Sequence, residues 1–171
     1  APILKHSWLV FTALIPQILA FQIAGAGEMI PQFWAKVILI GSQFLLLGFV
    51  WFNRQQIGLL LLGLGLVMNL SVILLNGGLM PIQPETASYV YNKVLPQDWI
   101  LGSRLGYGKD IILSHEDIQL EILSDRFRLP ETVSIRAAFS LGDIFVSLGA
   151  IQLLWNIPQK PINKSVPLIH T

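Results

Sequence analysis

The chain has 171 residues, of which 53% are hydrophobic and 12% charged, and its formal net charge is +1. Soluble domains carry about 25% charged residues, so this composition excludes a typical soluble enzyme, a disordered tail and a nucleic-acid-binding protein. The sequence contains no cysteine, which excludes disulfides, thiol chemistry and cysteine-based metal sites.

Four apolar stretches predict four transmembrane helices, because a spanning helix needs about 20 mostly apolar residues. They cover residues 7–27, 32–52, 55–75 and 139–156. Their apolar residues surround the helix instead of forming one stripe, which is not typical of an amphipathic soluble helix. Pro16 lies inside the first stretch and is expected to kink it. The predicted fold class is an all-α integral membrane protein with four transmembrane helices.

One long polar segment separates the third span from the fourth, and it holds six of the 11 basic and eight of the 10 acidic residues. We expect a partly ordered extramembrane loop there. Residues 85–95 have weak helical character, the alternation in 117–123 predicts a half-buried strand, and Pro130 is expected to open a short helix. The predicted organisation is a three-helix membrane segment (1–75), the loop (76–138), the fourth helix (139–157) and a flexible tail (158–171).

The distribution of lysine and arginine in the short connections predicts the orientation in the membrane. One side carries Lys5, Arg54, Lys160 and Lys164, whereas Lys36 and the long loop lie on the other side. We therefore expect a multi-pass membrane protein with a defined orientation. Both ends of the chain are predicted to be inside and the loop outside.

Small residues recur at seven-residue spacing in every span. Close packing of small faces is a main source of helix association in lipid, and a seven-residue repeat keeps them on one side of a left-handed bundle. The pattern therefore predicts helix–helix contacts. Its members are Ala13, Ala20, Gly27, Gly41, Gly48, Gly58, Gly65, Gly142 and Gly149.

Asp143 is the only ionisable residue well inside a predicted span, and such residues are costly and often functional. Ser140-Leu141-Gly142-Asp143 also fits the capping-box pattern, in which Ser140 caps the helix and Asp143 bonds back to its amide. A structural cap is the favoured interpretation. The alternatives are a buried partnership of Asp143 with Asn69 or Asn76, and a role in handling a proton or substrate.

Several loop motifs predict turns instead of catalytic or binding sites. Gly77 and Gly78 follow Asn76 at the end of the third span, where glycine in the left-handed conformation closes a helix, and Pro81 then prevents helix. Residues 106–109 resemble a phosphate loop but lack its first glycine and its final Ser or Thr. The cluster His115-Glu116-Asp117 has no second pair of ligands. No catalytic residue and no metal site is predicted.

These motifs resemble those of an uncharacterised bacterial multi-pass membrane-protein family. Residues 76–81 look like its NGG-x-MP turn, and residues 140–143 look like the S-x-GD start of its last helix. Leu123-Ser124-Asp125 is similar to a leucine–small residue–aspartate step in its loop, and residues 5–8 are similar to its basic and aromatic entry to an early span. The family usually has one more apolar segment at its start, so the resemblance implies a shortened or incomplete beginning. It implies no activity.

The spans offer little chemistry and many packing surfaces, which favours a non-catalytic accessory or scaffold subunit of a larger membrane complex, respiratory or photosynthetic. Its expected partners are the lipid bilayer and other transmembrane subunits. One alternative is a small transporter or membrane enzyme using Asp143 with Asn69 and Asn76. Asp125, Arg126 or Arg128 of the loop could fold back to supply a second titratable group. Another is a subunit that binds a quinone, a carotenoid or a chlorophyll-type pigment. No cofactor is predicted, although sites for these groups need few polar contacts.

Overall fold

The computed structural model describes residues 4–23, 27–92 and 94–155, and this part of the chain is mostly helical, as predicted. The α-helices are α1 (Trp8–Phe21), α2 (Gln32–Phe52), α3 (Ile57–Leu75), α4 (Pro84–Val90) and α5 (Leu141–Trp155). The strands are β1 (Met80–Ile82), β2 (Asp110–Ile112), β3 (Phe127–Arg128) and β4 (Ala138–Phe139).

Helices α2 and α3 are long and apolar enough to cross a membrane, and their bounds agree with the predicted spans. Helices α1 and α5 are apolar but shorter, with 14 and 15 residues. Helix α5 begins two residues later than predicted because Phe139 belongs to β4 and Ser140 precedes the first helical turn. The predicted tail, residues 158–171, lies outside the described residues.

The four long helices form a row in which α1 packs on α2, α2 on α3, and α3 on α5. We call this unit the helix row. Leu9, Phe49, Leu59 and Leu66 belong to one apolar core that joins α1, α2 and α3, and Val146 of α5 packs against it. Apolar residues occur on every face of these helices. Many large apolar side chains are therefore exposed on the outside of the row.

The two ends of the helix row differ. At one end, Asn53 in the turn between α2 and α3 binds Lys5, three residues before α1: the Lys5 backbone N–H donates to Asn53 Oδ1 (2.7 Å), and Asn53 Nδ2 donates to the Lys5 carbonyl (2.8 Å). At the other end, residues 76–140 form a separate structured unit, which we call the cap. The short α2–α3 turn and the long polar segment therefore lie at opposite ends of the helix row.

The small-residue pattern predicts the α3–α5 contact correctly. A Cβ added to Gly58 would lie 2.8 Å from the Gly149 carbonyl oxygen, and one added to Gly149 would lie 2.5 Å from the Gly58 carbonyl oxygen. Gly65 and Gly142 face each other in the same way one heptad away, where a Cβ on Gly142 would lie 2.8 Å from the Gly65 carbonyl. Backbone therefore touches backbone along this interface, which only glycine permits.

The same pattern is only partly correct for α1 and is wrong for α2. Ala13 and Ala20 are fully buried, and a Cβ on Gly27 would meet Tyr107 of the cap. By contrast, nothing lies within 4 Å of a Cβ added to Gly41 or Gly48. These two glycines do not contribute to helix packing, because α2 contacts its neighbours through other faces.

The cap is an α/β unit with its own core, which the all-α prediction did not include. Strands β1 and β2 pair in parallel and are connected through α4, and β3 pairs with β4 in antiparallel fashion. The buried residues Ile82, Ala87, Leu105 and Ile112 form a core between the strands and α4. Helix α4 confirms the helical character predicted for the start of residues 85–95.

Two local predictions in the cap are wrong. Residues 117–123 form turns and a 3₁₀ helix (Glu121–Leu123) instead of a strand, because Leu120 adopts a left-handed conformation with φ 54°. The segment beginning at Pro130 forms turns instead of a helix, since the Leu129 N–H donates to the Ala137 carbonyl (3.1 Å) and continues the β3–β4 pairing.

Candidate functional site

The predicted capping box at the start of α5 is present. The Ser140 backbone N–H donates to Asp143 Oδ2 (2.9 Å), and the Asp143 N–H donates to Ser140 Oγ (3.0 Å). The carboxylate also accepts a hydrogen bond from a neighbouring helix, because Asn69 Nδ2 donates to Asp143 Oδ1 (2.9 Å). Ser140 Oγ in turn donates to Asn69 Oδ1 (2.9 Å). The cap and the Asn69 partnership therefore occur together, and both carboxylate oxygens are engaged.

Asn76, which the sequence analysis considered as a partner of Asp143, binds the backbone of Gln119 instead. Its Nδ2 donates to the Gln119 carbonyl (2.9 Å), and the Gln119 N–H donates to Asn76 Oδ1 (2.9 Å). This pair of hydrogen bonds fastens the turn before the 3₁₀ helix onto the end of α3. The interpretation of Asn76 as a partner of Asp143 is therefore wrong.

The Asn-Gly-Gly turn directs the chain from α3 into β1. Gly77 and Gly78 have φ values of 79° and 94°, the left-handed region predicted for them, and the Gly78 N–H donates to the Ile73 carbonyl (2.8 Å). Pro81 lies in β1, where its carbonyl accepts from the Asp125 N–H (3.2 Å). The two family motifs, residues 76–81 and 123–125, therefore meet at this strand.

A charged cluster that the sequence did not predict surrounds Asp125. Lys109 Nζ lies 2.5 Å from Asp125 Oδ2 and 3.3 Å from Asp110 Oδ1. Asp125 is almost completely buried, whereas the Lys109 side chain keeps 40% of its exposure. Strand β2 positions both Lys109 and Asp110, because the Lys109 carbonyl accepts from the Met80 N–H (3.0 Å) at the start of β1.

The pKa values in this cluster are shifted by burial and by neighbouring charges. Burial raises the pKa of Asp125 to about 7; Lys109 opposes this shift and the charges of Asp110 and Asp143 support it. For Lys109, burial lowers the pKa, but the carboxylates of Asp110, Asp125 and Asp143 outweigh burial and leave it above its usual value. The direct partner of Asp125 is therefore Lys109, an ion pair that the sequence analysis did not predict.

The cluster borders a cavity of about 660 Å³ between α1 and the cap. Leu14, Ile18 and Phe21 of α1 form an apolar wall, and the polar lining includes Gln17, Gln22 and Tyr91. The charged lining consists of Lys109, Asp110, Asp125 and Arg136. Residues 136–138, which lead into α5, also line it. The cavity thus lies at the cap end of the row, with lining from α1 and from the segment that enters α5.

Sequence reasoning missed Lys109, Asp110, Arg136 and Gln17 as lining residues. The sequence predicts a plain turn at residues 106–109; the turn is present, but its lysine enters the cluster. No periodic pattern marks the strand that follows, because β2 has only three residues.

The His115 cluster forms local contacts at the surface of the cap. His115 Nδ1 lies 3.0 Å from Glu121 Oε2, and Ser114 Oγ donates to Asp117 Oδ2 (2.5 Å). Across residues 4–23, 27–92 and 94–155, no three His, Cys, Asp or Glu side chains converge in a way that could hold a metal ion.

A row of apolar helices beneath an α/β cap, whose cavity is lined by the Lys109–Asp125 ion pair, defines a mostly helical protein with two helices long and apolar enough to cross a membrane. The family of unknown function DUF5317 matches residues 3–155, and the chain belongs to this family. This agrees with the resemblance to an uncharacterised family. Comparison with curated proteins and with solved structures finds no match to the chain.

Proposed function

We propose that the chain is a four-span protein of the bacterial cytoplasmic membrane and serves as a non-catalytic accessory subunit of a larger membrane complex. The cap lies outside and the α2–α3 turn inside. The observation that carries this proposal is the distribution of side chains in the helix row, where large apolar groups face outwards and polar groups bond to one another inside.

The outward faces of all four helices are apolar. In water such a surface would be costly, because soluble monomers rarely expose contiguous apolar patches of more than a few hundred Å². In lipid the same surface is the normal exterior of a membrane protein. The exposed residues include Phe11 and Ile15 on α1, Phe44 and Trp51 on α2, Leu60 and Val67 on α3, and Leu148 and Ile151 on α5.

The polar groups inside the helix row favour a structural role over catalysis. Both oxygens of Asp143 accept hydrogen bonds from Ser140 and Asn69, so the carboxylate is already engaged by the protein. Gln17 on α1 donates to Ser42 on α2 and links those two helices. These groups fix helix positions, which is what a scaffold requires.

The helix row does not close on itself, and its two edge helices favour packing against partner subunits. Helices α1 and α5 lie at its two edges, and each presents exposed apolar residues, such as Phe11 at 64% and Leu154 at 67% exposure. Helix α1 is shorter than a full span, since its 14 residues extend only about 21 Å at 1.5 Å per residue. Packing against another subunit would bury both edges and stabilise this short helix.

Site-specific photo-crosslinking in the host membrane tests the accessory role. A benzoylphenylalanine at Phe11 or Leu154 should crosslink to a distinct membrane protein, whereas the same group at Gln97 on the exposed surface of the cap should not. Crosslinking to lipid alone at both edge positions would contradict the accessory role. An absorbance spectrum of the gently purified protein tests the quinone or pigment alternative in the same preparation.

The transporter or enzyme alternative makes a different prediction. If Asp143 handles a proton or substrate, Asp143→Asn should give a normally folded and inserted protein that fails to support its host. If Asp143 is a cap, the same variant should support the host as well as the parent does. Growth of the host beside thermal unfolding of the purified variant distinguishes the two.

A further inference from the structure

We propose that the cavity between α1 and the cap binds the headgroup of a zwitterionic lipid with a primary ammonium group, of the phosphatidylethanolamine type. The proposal rests on the membrane location inferred above and is independent of the accessory role. It follows from three features of the lining: buried carboxylate oxygens without a hydrogen bond, a nearby arginine, and an apolar wall on α1.

The carboxylate oxygens provide the site for the ammonium group. Asp125 Oδ1 and Asp110 Oδ1 are buried without a hydrogen-bond partner among the described residues, and only Asp110 Oδ1 has a cation near it, the Lys109 ammonium at 3.3 Å. An ionised carboxylate is only an acceptor, so each oxygen requires a donor or a cation. Lys109 already binds Asp125 through Oδ2, which leaves Oδ1 available to a second donor. A primary ammonium has three N–H groups and is small enough to serve both acids.

Arg136 in the lining provides a site for the phosphate of the same headgroup. Arg136 Nη1 donates to Asn92 Oδ1 (2.6 Å), which fixes the side chain, while Nη2 has no partner among the described residues. Its guanidinium also lies 5.6 Å from the Tyr89 ring centre. Arginine binds phosphate oxygens through its paired N–H groups. Carboxylates and arginine in one cavity thus match a ligand that carries both charges.

The apolar wall accounts for the lipid tail. Leu14, Ile18 and Phe21 are spaced by three or four residues, so they lie on one face of α1. Ile18 is 50% exposed although it lines the cavity, because α1 is an edge of the helix row. An acyl chain could therefore leave the cavity along α1 directly into the bilayer. The volume of about 660 Å³ lies within the usual range for ligand cavities, roughly 300–1,000 Å³.

The test compares lysophospholipids that share one acyl chain, added to the full chain purified in maltoside detergent at pH 8. Binding is measured by native mass spectrometry and by thermal shift. Lysophosphatidylethanolamine should bind at least tenfold more tightly than lysophosphatidylcholine, whose quaternary ammonium has no N–H group to donate. Equal binding of the two lipids would overturn the proposal. If a short-chain ubiquinol binds more tightly than both lipids and the two lipids bind equally, the proposal is also overturned. The cavity would then bind the neutral hydroxyl groups of a quinol instead of an ammonium group.

Variants assign the contacts. Asp110→Asn should reduce binding of lysophosphatidylethanolamine about tenfold and leave lysophosphatidylcholine unchanged, whereas Asp98→Asn on the exposed cap surface should change neither. Arg136→Gln should weaken both lipids by a similar factor, because both carry the phosphate. If Asp110→Asn fails to fold, Arg136→Gln and the lipid comparison on the parent protein still decide the question. Unchanged headgroup preference in a folded Asp110→Asn variant contradicts the proposed ammonium contact.

Discussion

Replacing Gly149 by alanine should weaken the contact between α3 and α5. The added Cβ would lie 2.5 Å from both the Gly58 carbonyl oxygen and the Leu62 backbone nitrogen, and backbone atoms cannot turn aside. The helices must therefore separate by about 0.5–1 Å, a gap that forfeits a quarter to a half of the attraction between facing atoms. Overpacking of this kind costs about 1–3 kcal/mol.

Gly48→Ala is the matched control, because it makes the same chemical change in the interior of α2 where nothing lies within 4 Å of the new Cβ. There the helix propensity of alanine should stabilise the protein by up to about 1 kcal/mol. Thermal unfolding of both variants in one detergent measures the difference. If Gly149→Ala is as stable as Gly48→Ala, the glycines of α3 and α5 do not determine helix packing, and the reasoning is refuted.

Three further predictions concern polar groups. Asp143→Leu should lower the free energy of unfolding by several kcal/mol, since it leaves the Ser140 N–H and Asn69 Nδ2 unpaired at about 1–3 kcal/mol each. Asp143→Asn should lower it by about 1–3 kcal/mol, because its amide nitrogen replaces one of the two accepting oxygens and leaves one of these donors unpaired. Chemical unfolding of both variants checks this order. Asn76→Ala should lower the free energy of unfolding by about 1–3 kcal/mol, because it removes the two hydrogen bonds that hold the Gln119 turn. Hydrogen exchange should become faster, and only in residues 117–123. The raised pKa of Asp125 means that the folded state holds this proton up to about pH 7 while the unfolded chain releases it near 3.8. Its contribution to stability is therefore complete below about pH 4 and is lost as the pH rises through 7. Melting temperatures of Asp125→Asn should consequently fall less than those of the parent between pH 4 and 7, and identical pH profiles would contradict the shift.

The helices could be predicted because their signals are local. Uninterrupted apolar runs located α2 and α3, and the capping box located the start of α5. The heptad spacing of Gly58, Gly65, Gly142 and Gly149 predicted which faces of α3 and α5 meet, because both helices repeat it in register. Gly41 and Gly48 show the same spacing without a contact, since spacing alone does not say which face a neighbour occupies.

The charged cavity could not be predicted because its residues come together through tertiary structure. Lys109 and Asp125 belong to different parts of the cap, and the parallel pairing of β1 with β2 brings them beneath one wall of α1. Strands of two or three residues leave too little alternation for a sequence pattern. The strand predicted at 117–123 is wrong for a similar reason, since the distant residue Asn76 binds the Gln119 backbone and Leu120 adopts a left-handed conformation.

Sidedness of the two ends of the helix row is the most direct test of the proposed membrane architecture. The chain has no cysteine, so single cysteines at Gln55, beside the α2–α3 turn, and at Gln97, on the cap, are unique labels at exposed positions. In intact cells a membrane-impermeant maleimide should label Gln97→Cys at once and Gln55→Cys only after the membrane is permeabilised. Labelling of both positions from the same side of the intact membrane would contradict the four-span arrangement.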